Sequence, residues 1–330
     1  MRIISDSAIQ RILSSLSSEG IQRYQRVLYK ALEKYHADPT LIPERVVVSR
    51  PELECIHLFM PTFADRVGVK TLGGSKEGFK GAVMIMNEQN GDLEGVLNAM
   101  TLTAFRTALA SSIPLMKYFK KEKPNQVITA YGNGLQSYWH IKLTLNLFPK
   151  SFSRVQIVVR SINDKSNELQ KQLSTEFTNI KFDLVESSTN VDLSTSDIIY
   201  GCIPSTEPGI HYESLNKDEQ TYISIIGSYK PFMFEVDDAI VQKALSNGKV
   251  IVDSYEHTLA EAGELIKNNV KPGNCVEIGE LDNLTTKQIN NDDKLVLVKI
   301  VGLAIMDISV GTEILEQCQR ENIGVDVAEF

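Results

Sequence analysis

Early in the chain, apolar residues recur at helical spacing. Ile12, Leu13, Leu16, Ile21, Tyr24, Val27, Leu28 and Leu32 share one stripe, which predicts helix over residues 8–36 with a break near Gly20. The period then shortens. Segments 45–48, 56–60, 67–70, 83–86 and 93–97 read as short strands, the last two flanking Asn90-Gly91. An Asn-Gly pair suits a tight hairpin because both of its central positions accept positive φ. These segments predict an α+β module with a largely antiparallel sheet. Residues 101–119 read as a helix, with Thr101 or Thr103 as N-cap and Pro114 kinking or dividing it.

From Gln126 the pattern alternates. Strands are predicted at 127–131, 155–159, 180–184, 198–200, 222–226 and 250–252. The first is followed by an apolar helical stripe of Leu135, Tyr138, Trp139, Leu143 and Leu147, and the second by a helix over 167–177. Such alternation implies a parallel sheet with both faces covered. Residues 302–322 read as a long helix that returns to pack on the first module.

Composition narrows the options without changing this outline. Hydrophobic residues at 42% and charged residues at 23% are ordinary for a globular protein, and 330 residues suit two domains. A net charge of -8 argues against nucleic-acid binding. The densest basic cluster, Lys117, Lys120, Lys121 and Lys123, reads as a solvated helix end. Cys55, Cys202, Cys275 and Cys318 form no C-x-x-C pair and the histidines form no metal spacing, so no metal is expected. With no signal peptide or membrane-length apolar run, the expectation is a cytoplasmic protein without a membrane partner.

The candidate chemistry begins at Gly132-Asn133-Gly134-Leu135-Gln136-Ser137. A glycine pair between a strand and a helix lets backbone approach a pyrophosphate, and the helix start offers free N–H groups and its positive dipole end. The second strand of the alternating region ends in Arg160-Ser161. An arginine there suits a 2′-phosphate, which leans the coenzyme from NAD(P) in general towards NADP(H), although Asp164 is close. Cys202-Ile203-Pro204 and Gly227-Ser228 follow later strands and border the same crevice. Arg106, set among Phe105, Thr107, Ala108 and Leu109, must find an anion, either a ligand carboxylate or an internal acid.

With these pieces placed, the chain resembles the ornithine cyclodeaminase/mu-crystallin family over most of its length. The segments that carry the resemblance are Met60-Pro61, Gly68-Val69-Lys70, Asn90-Gly91-Asp92, Leu102-Thr103-Ala104-Phe105-Arg106-Thr107-Ala108 and the Gly132–Ser137 turn. Ser196-Asp197, Gly227-Ser228, Glu235, Ala262-Gly263-Glu264-Leu265 and Lys299 through Asp307 follow in the family's order. The resemblance implies a homodimer and an α/β fold in two parts. Residues 1–112 with 303–330 would form an α+β substrate-binding and dimerisation domain completed by the C-terminal helix. Residues 113–302 would form a Rossmann domain, a doubly wound parallel sheet binding NAD(P), with Lys299 among its coenzyme residues.

The resemblance also implies roles. Arg106 and Lys70 would hold the substrate α-carboxylate, with Lys70 orienting the reacting carbon and Arg45 a further carboxylate ligand. Two positions depart from an ornithine cyclodeaminase. Tyr229 stands where an aspartate acid/base is expected, and His57 where a glutamate would meet the ornithine amine, with Glu54 the nearest carboxylate. The leading expectation is an NAD(P)-dependent oxidoreductase acting on a small amino or imino acid, with Tyr229 as proton donor. Ornithine cyclodeamination and a non-catalytic NADPH-binding crystallin are the alternatives.

Overall fold

The computed structural model of the chain describes residues 1–50, 52, 55–75, 78–119, 124–188, 191–289 and 294–328; Glu54, Lys120, Lys121 and Lys123 lie outside them. The chain divides into two compact units, Met1–Arg106 with Gly302–Phe330 and Thr107–Val301.

The first unit opens with strand β1 (Arg2–Ile4) and helices α1 (Asp6–Ser14) and α2 (Ser18–Ala37). The helix break falls at residues 15–17 rather than near Gly20, because Ser17 caps α2 by accepting from the Gly20 N–H. Strands β2 (Val46–Arg50), β3 (Cys55–Phe63), β4 (Val67–Ser75), β5 (Gly78–Met86) and β6 (Leu93–Asn98) follow. Gly91 takes φ +79° in the turn between β5 and β6, but Asn90 does not take positive φ; the turn is longer than a two-residue hairpin, with the Gly91 N–H donating to the Asn87 carbonyl at 3.0 Å. Helix α3 (Ala99–Tyr118) starts two residues before its predicted start. Asn98 accepts from the Met100 N–H, and Asp6 accepts both the N–H and the Oγ1–H of Thr101. Neither threonine is therefore the cap. Pro114 does not divide the helix, whose flanking Leu109, Ala110 and Leu115 are fully buried; packing outweighs one missing donor.

The second unit is built from β7 (Gln126–Tyr131), α4 (Leu135–Leu147), β8 (Phe152–Val159), α5 (Asp164–Glu176), β9 (Lys181–Glu186), β10 (Ile198–Gly201) and β11 (Thr221–Ile225). It continues with α6 (Asp238–Asn247), β12 (Val250–Val252), α7 (Tyr255–Glu261), α8 (Gly263–Lys267), β13 (Cys275–Glu277), α9 (Thr286–Ile289) and β14 (Leu295–Lys299). Its eight strands are all parallel, in the order β13-β12-β14-β11-β10-β7-β8-β9. The order reverses between β7 and β10, which is the switch point of a doubly wound, Rossmann-type sheet. Strand β14 was not anticipated; it inserts between β11 and β12 and is buried along its length.

The chain then returns to the first unit through α10 (Ala304–Arg320) and β15 (Val325–Asp326), completing a seven-stranded sheet in the order β15-β1-β6-β5-β4-β3-β2. Only the β1–β6 pairing is parallel. One face of this sheet carries Ile4, Met60, Lys70, Val83, Ile85 and Leu97, all buried, and α10 packs against β3, β4, β5 and β6. On the other face Ile3, Val46, Val48, Phe59 and Phe63 stay exposed, at 42%, 55%, 42%, 43% and 53% respectively. No helix among the described residues is long and apolar enough to cross a membrane.

Candidate active site

In the first unit, two buried cations converge on one acid. Lys70 Nζ donates to Asp307 Oδ1 at 2.8 Å, and Arg106 Nε donates to the same oxygen at 3.2 Å. Arg45 Nη2 donates to the Gly302 carbonyl at 3.2 Å. Gly302 has φ +91°, and a Cβ there would lie 2.8 Å from both Arg106 Nη1 and Nη2. Only glycine serves at this position, both for the backbone conformation and for the guanidinium lying against it. Lys70, Arg106 and Asp307 are 1%, 4% and 0% exposed. Burial pulls the Lys70 ammonium down to about 8, with Asp307 opposing that shift and Arg106 adding to it.

Asp307 thus satisfies the internal acid that Arg106 demanded, yet it cannot balance the cluster. Two buried cations, Lys70 and Arg106, share one carboxylate oxygen, an excess of positive charge in a dry setting that favours an anion. The Asp307 role was missed in the sequence, where the residue only closed a family segment. A buried Lys70 needing a counter-charge was the signal available.

His57 does not join this group within the chain. In the β3–β4 register Met60 pairs with Lys70 and His57 with Gly73, so His57 and Lys70 point to opposite faces of the sheet. His57 is exposed, and its Nε2 lies 3.5 Å from Cys55 Sγ.

In the second unit, three loops meet at the carboxyl edge of the sheet. After β7, Gly132 takes φ +110° and donates its N–H to the Val158 carbonyl at 2.8 Å. A Cβ on Gly132 would meet Ile203 Cγ2 at 2.9 Å and the Cys202 carbonyl at 3.2 Å, so this bend packs directly on the loop after β10. Gly134 is the N-cap of α4 and provides no side-chain cap. A Cβ on Gly134 would meet no protein atom within 4 Å, so protein packing does not explain a glycine there. Gln136 Oε1 is buried without a hydrogen-bond partner, while its backbone carbonyl faces His140 Nδ1 at 2.7 Å. An open glycine and an uncapped helix start with free N–H groups fit the pyrophosphate of a dinucleotide. Asn133 is half-buried and Leu135 exposed beside them.

Arg160 and Ser161 are exposed at the end of β8, next to β7. No acid stands at that strand end; Glu186, at the end of β9, accepts the Ile162 N–H at 3.0 Å. Cys202 and Ile203 are half-buried and Pro204 exposed; burial pushes the Cys202 thiol up, so it is no nucleophile. Gly227 lies against Ile203, where a Cβ would come within 2.2 Å of that residue's carbonyl oxygen. Tyr229 is half-buried, its phenol raised by burial, with Lys230 Nζ 5.7 Å from the ring centre.

Lys299 is wholly buried rather than open to a ligand. Its Nζ donates to the Ser228 carbonyl at 2.5 Å and lies 3.2 Å from Glu264 Oε1. Burial lifts Glu235 to about 7, with Lys299 opposing and Glu264 adding to the shift. The sequence reading gave neither glutamate a role.

A doubly wound sheet with an open glycine bend, beside a separate antiparallel unit with a cationic cluster, defines a two-unit α/β class with a Rossmann-type half. The chain belongs to the ornithine cyclodeaminase/mu-crystallin family, whose sequence model matches residues 30–322. It is 34% identical to the uncharacterized protein YGL159W of Saccharomyces cerevisiae over 95% of the chain and 96% of that protein. Identity to the Delta(1)-pyrroline-2-carboxylate reductase of Bacillus cereus is 25%, over 89% of the chain and 91% of the relative. The solved structure of Thermococcus litoralis Delta(1)-pyrroline-2-carboxylate reductase, in complex with NADH and L-proline, superposes with a TM-score of 0.80 at 20% identity. It covers 99% of this chain and 100% of its own and shares the fold.

Proposed function

We propose that this protein is an NAD(P)-dependent oxidoreductase that reduces a small imino acid, or runs the reverse reaction on the amino acid. The surplus of positive charge around Asp307 carries the reading, because it calls for a small anion such as an α-carboxylate. Arg106, Lys70 and Arg45 hold that carboxylate and turn the imine carbon to a fixed orientation. Positioning of this kind is where such a protein contributes most. The nicotinamide, when bound, supplies or accepts the hydride. Tyr229 Oη gives the proton to the substrate nitrogen; a phenol raised by burial is a donor at neutral pH and no base. That argues against ornithine cyclodeamination, which calls for a base at this place.

Gly132, Asn133, Gly134, Leu135 and Gln136 are assigned to the pyrophosphate, and Cys202, Ile203, Pro204, Gly227 and Ser228 to the rim of the crevice. Lys299 acts from beneath that rim. Exposed Arg160 with Ser161, at a strand end lacking an acid, supports a preference for NADP(H). The half-exposed apolar face of the seven-stranded sheet supports a homodimer formed through the first unit, and four cysteines free of disulfides support a cytoplasmic home.

Cyclic and linear imino acids offered with NADPH or NADH test the reading by loss of absorbance of the reduced coenzyme. Turnover is expected, with Arg106→Lys raising KM by about 10- to 100-fold as the two-pronged grip is lost. A protein that binds coenzyme but turns over none of these acids would overturn it.

A further inference from the structure

Glu235 stands just before α6, 2% exposed, and the reaction proposed above gives it nothing to do. Its carboxylate nevertheless reaches two loops at once. Oε1 accepts the Ile203 N–H at 3.1 Å, after β10. Oε2 accepts the Gly227 N–H at 2.7 Å and the Ser228 N–H at 3.0 Å, after β11. The strands leave no slack around it, since a Cβ on Gly201 would lie 2.7 Å from Glu235 Oε1. The Ser228 hydroxyl donates to Glu264 Oε1 at 2.6 Å, and Lys299 from the end of β14 holds the Ser228 carbonyl.

We infer that Glu235 is a positioning residue for the coenzyme, a buried clasp that fixes the spacing between the 202–204 and 227–229 loops. Three backbone N–H donors drawn from two loops converge on its two oxygens, the arrangement that suits an ionised carboxylate, to which each such bond is stronger than to a neutral acceptor. Neither loop shifts without breaking one of them. The clasp lies on the nicotinamide side of the Gly132 bend, which already touches Cys202 and Ile203. The inference rests on the coenzyme reading and adds that the nicotinamide half of the molecule, rather than its adenine half, depends on Glu235. Lys299 and Glu264 act through Ser228 as supports of the same loop.

The test compares Glu235→Gln with the unsubstituted protein by calorimetric titration of NADPH, NADH and 2′,5′-ADP, which lacks the nicotinamide half. Glutamine keeps one acceptor and faces the other loop with an amide NH2, a donor. The reduced coenzymes are expected to weaken by about tenfold or more while 2′,5′-ADP is unchanged. Equal weakening of all three, or of none, overturns the clasp. Failure of the unsubstituted protein to bind any of them sinks the coenzyme reading instead. Should Glu235→Gln not fold, amide hydrogen exchange in the unsubstituted protein decides. The Ile203, Gly227 and Ser228 amides are expected to exchange slowly and at one common rate, and independent, fast exchange of the two loops rejects the inference.

Discussion

Lys70 and Asp307 sit 237 residues apart in the chain and 2.8 Å apart in space, both fully buried. The same Asp307 oxygen receives Arg106 Nε, so one carboxylate fixes two of the proposed substrate cations. Removing it leaves two desolvated charges facing each other.

If Lys70 holds the substrate as proposed, Asp307 should set the alkaline limit of activity. Lys70, lowered to about 8 by burial, loses its proton as pH rises through that value, and kcat/KM should fall with it. Asp307 is the group that opposes the lowering. In Asp307→Asn the fall should begin about one pH unit lower or more, and stability should drop by about 3–5 kcal/mol. An alkaline limb left in place by the substitution would separate Lys70 from substrate binding.

The two glycines of the first bend should behave differently. Gly132→Ala forces a side chain into φ +110° and against Ile203, so a stability loss of about 1–3 kcal/mol is expected in thermal melts. Gly134 has φ -97° and open space around it, so Gly134→Ala should fold normally. Its cost should fall on coenzyme affinity, by about tenfold or more. Normal NADPH binding by Gly134→Ala would remove the pyrophosphate from this turn.

His140 makes stability pH-dependent away from either cluster. It is 1% exposed, faces Ser111 Oγ at 2.9 Å through Nε2, and burial lowers it to about 4. The folded chain keeps it neutral while the unfolded chain protonates it near 6.5. Stability is thus complete above about pH 6.5 and declines as pH falls towards 4, by roughly 3 kcal/mol over the window. His140→Gln should flatten the melting temperature over that range, and an unchanged slope would assign the acid sensitivity elsewhere.

Local chemistry in the sequence foretold what local chemistry controls. The Asn90-Gly91 hairpin, the Gly132 bend and the change from antiparallel to parallel strands each follow from backbone preference or side-chain period. Long-range choices were out of reach. Asp6 supports the start of α3 from 95 residues away, a bond that no N-cap pattern around Thr101 reveals. His57 was expected at a family glutamate position, but it stands three residues before Met60, the register partner of Lys70, and that odd separation turns it to the opposite face. Lys299 was legible as a family position, whereas its burial beneath Ser228 depends on β14 inserting between two earlier strands.

In the proposed homodimer the uncovered side of the seven-stranded sheet would bring mass action into stability. Phe59, Phe63 and Val46 add little to the folding of an isolated chain while they stay in water, and a second chain laid over them would make folding and association one equilibrium. The melting temperature would then climb with total concentration, and dilution alone would unfold a protein whose interior contacts are all intact.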